Sequence, residues 1–386
     1  IVLTGDVTLT MNSAVLKHTT ADTLKYAPAI YVKSGSVKLV LQGENSVEGS
    51  SGYAGIAVAP GASLTISGEG SLQATGGAGS DTIRNVGKKV DFGFDSSITS
   101  VYYGGGAGIG GNGIWMSGAD HIIGASTADC GTIAITSGTV TATGGKANSA
   151  NAGAGAGIGG GGNTTKAKDA TDEAVLLPAK GTVKISGGTV TATGGDGESW
   201  SLTGGGAGIG CGGSTGAFYT ADNEALVEIT GGTVTATGLA DGAGIGGGAN
   251  VDGGTIKITA GSVTATGGAE FEDGKQDGGY GGAGIGGGDN GGVTAIEISG
   301  GTVKASAIGA AAGIGAGNSG AIGAGTITIS GAADVTAVGG CYKDGLRDGG
   351  AGIGGGRSND NDCGFAKIAI TGTAKVRAYA GAKAQA

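Results

Sequence analysis

Aromatic residues are scarce in this chain, only 4% of 386 residues, and two of them are tryptophan. Globular cores draw much of their buried area from such side chains, so the core here has to be built from smaller ones. Proline is rarer still, at three residues, while glycine reaches 94. Without a Gly-X-Y period, that glycine is not collagen glycine. Glycine and threonine are poor helix formers, which excludes a helical bundle. Two histidines, His18 and His121, are too few for the usual zinc clusters. The four cysteines, Cys130, Cys211, Cys341 and Cys363, show no CxxC spacing. They are too sparse for a disulfide scaffold, and Cys341 and Cys363 are the candidates for one pair. Basic residues number 22 against 31 acidic, a net charge of −9, and no basic stripe offers itself to nucleic acid. No apolar run approaches the ~18 residues of a membrane span. The chain opens inside a strand-like segment, IVLTGDVTLT, without a leader pattern, as expected of a mature or trimmed fragment.

What is present is a repeat. Eight two-strand units recur, among them TIAITSGTVTATGG (132–145), TVKISGGTVTATGG (182–195), LVEITGGTVTATG (226–238) and TIKITAGSVTATGG (255–268). An AGI element precedes each unit, with isoleucines from Ile56 to Ile353 spaced 29 to 53 residues apart. Short constant strands separated by variable insertions describe a solenoid whose loops grow outward. Each unit alternates with period two: Ile133/Ile135 then Val140/Ala142, Val183/Ile185 then Val190/Ala192, and so on to Ile368/Ile370 and Val376/Ala378. Stacked coils would align these side chains into inward ladders. The expected fold is all-β: one right-handed parallel β-helix domain over 1–386, about ten coils of three short strands. Residues 1–60 form degenerate coils, and the clear repeats occupy 61–386. At ~4.8 Å per coil the shaft would be about 50 Å long, with handedness following the rule for parallel crossovers. Glycines in the SGG and TGG corners are expected to take left-handed or otherwise strained turns without a Cβ penalty. Others let the AGI wall approach a thin core, and the rest loosen the outer loops.

The outward positions carry two patterns. Threonines recur on the second strand: Thr139, Thr141 and Thr143, then Thr189, Thr191 and Thr193, then Thr233, Thr235 and Thr237. The array resembles the T-x-T faces of ice-binding β-helices, but the β propensity of threonine accounts for it better, and it degrades to Lys304, Asp334 and Arg377 toward the end of the chain. On the first strand Lys184, Glu228, Lys257 and Glu297 fall on consecutive coils, so opposite charges would stack and hold the register.

Candidate binding residues sit in the insertions. Tyr103, Trp200, Tyr280 and Tyr342 are the aromatics that could stack on a sugar ring or fold back over the shaft. The motif DGKQDGG (273–279) recurs as DGLRDGG (344–350). Its carboxylates, Asp273 with Asp277 and Asp344 with Asp348, lie four apart in glycine-rich turns and suit calcium, a hard oxygen-seeking ion. Asp-Gly is equally a plain turn former. Catalysis finds no motif. A glycosidase needs two carboxylates roughly 5–10 Å apart, and nothing singles out loop acids such as Asp81, Asp91 or Glu198.

The run PAIYVKSGSVKLVLQGENSVEG, followed by AGIAVAPGASLTISGEGSLQATGG, resembles a clostridial, calcium-associated carbohydrate-binding parallel β-helix family. The later AGIGGG and GTVTATGG pattern resembles glycine-rich repeat surface proteins of Gram-positive gut anaerobes. The resemblance implies a monomeric extracellular or cell-surface module recognising a polysaccharide or mucin-type host glycan, with calcium as cofactor, no nucleic acid and no membrane insertion. The alternative expectation is a non-catalytic adhesin stalk that binds a host protein.

Overall fold

A computed structural model describes residues 1–17, 27–80, 101–117, 121–122, 128–148, 152–163, 167–168, 174–175, 181–197, 204–215, 225–272, 275–320, 325–341, 349–357 and 367–381. Among these residues every regular element is a strand. The strands form three 10-stranded parallel sheets that share one order along the chain. Each coil gives one strand to each sheet, so the architecture is a right-handed parallel β-helix of ten coils. The first coil is Val2–Leu3, Val7–Asn12 and Val15–Lys17; the second is Ile30–Val32, Ser36–Gln42 and Glu44–Glu48. The weakly repetitive N-terminal segment therefore supplies coils in full register with the rest. The AGI elements become two-residue strands such as Ile158–Gly159, stacked isoleucine on isoleucine.

The alternation read from the sequence is the alternation of burial. In the sixth coil Ile209, Val227, Ile229, Val234 and Ala236 are each no more than 1% exposed. A buried aliphatic side chain of this size contributes about 1.5–3 kcal/mol. The same positions close ranks through the ninth coil. In the tenth, Ile368 and Ile370 are 43% and 51% exposed, because no described coil follows them.

Two glycine columns behave as expected. Gly188, in the SGG corner, has φ +79°, and Gly159, after the AGI isoleucine, has φ +132°; their counterparts in neighbouring coils also have positive φ. The TGG corners do not. Gly145 and Gly195 are outside the left-handed region, and their role is close approach. The segment leaving each TATGG strand and the segment entering the next AGI strand interleave as a second layer. Its backbone bonds run Gly145 N–H to Gly106 O (2.8 Å), Gly155 to Gly145 (3.0 Å), Gly195 to Gly155 (2.8 Å) and Gly206 to Gly195 (2.9 Å). A Cβ on any of these four donor glycines would collide with a carbonyl of a neighbouring segment. These four glycines are buried, and they let backbones pack against backbones. The layer satisfies its own polar groups, as buried main chain must.

Candidate functional site

One insertion rises from the shaft as an ordered hairpin. Strands Ala269–Glu272 and Lys275–Gly281 pair antiparallel, with Glu272 opposite Lys275. The base is stitched to the next coils: Ala310 N–H donates to Gly279 O (3.1 Å) and Asn318 N–H to Gly281 O (2.9 Å). Gly309 passes so close to the Tyr280 carbonyl that no Cβ would fit there. Tyr280, on this anchored strand, is 42% exposed.

Under the hairpin lies a buried polar column. Asn290 Nδ2 donates to Asp289 Oδ2 (2.8 Å) and to Asn250 Oδ1 (2.9 Å), and Asn250 Nδ2 donates to Ser214 O (2.9 Å). Asn318 Nδ2 donates to Asp289 Oδ1 (3.1 Å) and Ser319 Oγ (3.1 Å). Asp252 Oδ1 accepts the Gly292 N–H at 2.6 Å. Asn250 and Asn290 have φ +60° and +57°, conformations that asparagine tolerates. The sequence reading missed this column. Its signal is the fifth residue after five consecutive AGI isoleucines, Ile158 to Ile314, which runs Asn163, Ser214, Asn250, Asn290, Ser319.

The other expected positions fare differently. Tyr103 closes the strand Val101–Tyr103 of a small antiparallel sheet completed by Trp115–Ser117 and His121–Ile122. It is 7% exposed, and its ring lies against the shaft, where a Cβ on Gly52 would fall 2.7 Å from Cδ2. Backbone bonds with Ser80 in both directions (3.1 and 3.2 Å) hold it there. This is the folding-back over the shaft that the sequence left open for these aromatics. Neighbouring Tyr53 is also buried, and burial, reinforced by Tyr103, raises its hydroxyl above the usual range. Trp200 and Tyr342 lie outside the described residues, as do Asp273, Asp344 and Asp348. Asp277 belongs to the hairpin strand Lys275–Gly281. Among the described residues no group of three His, Cys, Asp or Glu could hold a metal ion. Cys341 is in no disulfide, and its candidate partner Cys363 lies outside the described residues.

Four segments, 64–82, 227–249, 296–318 and 327–357, match a family described as the beta helix repeat. The matched segments combine strands of the shaft with the glycine-rich corners around them, about a quarter of the chain in all. Comparison with curated proteins and with solved structures gave no match. Among the described residues no helix is long and apolar enough to cross a membrane.

Proposed function

We propose that the protein is a non-catalytic carbohydrate-binding module of a bacterial surface or secreted protein, meeting a polysaccharide or mucin-type glycan through loops along one edge of the shaft. The observation that carries this reading is Tyr280, an exposed aromatic on a hairpin fixed at its base by the following coils. Aromatic faces offer large contact area at low entropic cost, and a rigid support lowers the cost of binding further. Trp200 and Tyr342 would extend the same edge, with calcium on the DGxxDGG turns as the assisting ion.

A glycan array probed with and without EDTA tests the reading. Binding that falls at least tenfold in Tyr280→Ala supports the hairpin, and loss on chelation supports calcium. Absence of any glycan signal at high protein concentration overturns the reading. It would favour the second one, an adhesin stalk, for which the uninterrupted stacking of ten coils is the specific support.

A further inference from the structure

Two cysteines far apart in sequence meet at one cavity. Cys130 precedes Thr132–Ile135 of the fourth coil, and Cys211 follows Ile209–Gly210 of the sixth. They are 5% and 1% exposed, and neither is in a disulfide. Both line a cavity of about 10 Å³, room for one small guest. The fifth coil makes the space. It contributes Gly159, Gly160 and Gly181 to the walls, and a Cβ on Gly181 would collide with Cys130 Sγ. The remaining walls are Val183, Gly210, Ala225, Leu226 and Val227, with no charged side chain among them.

From this geometry we propose that Cys130 and Cys211 form a two-sulfur site for a single soft, two-coordinate metal ion. A direct disulfide fits poorly. Cys130 and Cys211 lie in coils two apart, with Gly159, Gly160 and Gly181 of the fifth coil between them, and neither is in a disulfide. A metal between the sulfurs replaces one ~2 Å bond with two bonds of about 2.3 Å and so reaches about 2.5 Å farther than a disulfide. Thiolates select soft ions over hard ones. Binding is an exchange without redox: one divalent ion forms two S–metal bonds as two S–H protons leave to solvent, giving a neutral complex. A monovalent ion bound the same way leaves one negative charge in uncharged walls, which costs free energy. The site therefore prefers Hg(II) to Ag(I) as a probe.

The test uses the full chain with Cys341→Ser and Cys363→Ser, which removes the competing thiols. Titration with Hg(II), and separately with Ag(I), follows the sulfur-to-metal absorption, released protons and melting temperature. Expected are one Hg(II) per chain, two protons released, a raised melting temperature and weaker binding of Ag(I). Cys130→Ala and Cys211→Ala, each checked for an unchanged circular dichroism spectrum, should each lose at least a hundredfold in affinity. Equal affinity in either single variant, two ions per chain, or thiols that react only once the chain unfolds would overturn the site. Tighter Ag(I) than Hg(II) would overturn the neutral complex. None of these outcomes depends on glycan binding.

Discussion

Gly155 and Gly61 are the same residue type with opposite tolerance for a side chain. A Cβ on Gly155 would strike the Gly106 carbonyl in a layer made of stacked backbones, whereas Gly61, at φ +82°, has nothing within 4 Å of that position. Gly155→Ala should therefore cost about 1–3 kcal/mol by overpacking. Gly61→Asn should stay within about 1 kcal/mol, because asparagine accepts left-handed backbone. Urea unfolding of the two variants checks the contrast, and equal losses would refute the layer as drawn. Asp196 supplies a pH-dependent case at the same scale. Its Oδ1 is buried without a hydrogen bond. Burial raises its pKa, opposed by Lys146 and by the Gly197 N–H. The native state then holds this proton more tightly than the unfolded chain does. Stability from this group is present below the ordinary carboxylate pKa and is lost as pH rises through the raised one. Asp196→Asn should flatten that part of the stability–pH curve, leaving wild type and variant closest at acid pH and the variant more stable near pH 7. Parallel curves would show that the carboxylate is solvated.

At the level of the element, period-two alternation and the recurring AGI and TATGG units were enough to place the strands, because the physical demand on each strand is the same in every coil. Even the stacked charges fall where expected. Lys184 Nζ lies 2.9 Å from Glu228 Oε2, and Lys257 Nζ lies 3.9 Å from Glu297 Oε2, with Glu228 and Lys257 paired in register. The insertions carry no such period. Nothing in their composition distinguishes Tyr103, which packs on the shaft, from Tyr280, which faces solvent, since the difference lies in what each loop finds beneath it. The cysteine cavity was equally illegible: 130 and 211 become neighbours only once the glycines of the intervening coil are known to stack between them. The charge ladder gives the prediction at this scale. Exposed pairs contribute only about 0.2–1 kcal/mol, so Glu228→Ala should cost little. Glu228→Lys should cost more, because it stacks three lysines, and salt should recover the difference. A reversal variant as stable as wild type at low salt would remove the ladder from any part in setting register.

Across the whole molecule, stability is a chain of nearest-neighbour contacts, because each coil touches only the coils beside it. The interior is nearly uniform: Ile229, Ile258, Ile298 and Ile329 are all 0% exposed in successive coils. Among the described residues the tenth coil has a neighbour on one side only, with Ile370 51% exposed, although its strands keep their ladder to the ninth coil through partners such as Ile329 and Ile370. Local opening follows the number of packed neighbours. Hydrogen exchange should therefore rank the amides by position, with protection in the sixth coil exceeding that in the tenth by about two orders of magnitude or more. Measuring at two protein concentrations sharpens the comparison. If the tenth coil is slow at high concentration and fast at low, its open edge is being covered by another copy, as unpaired edge strands invite. If it is as slow as the sixth at both, stability is not passed from coil to coil, and the nearest-neighbour account fails.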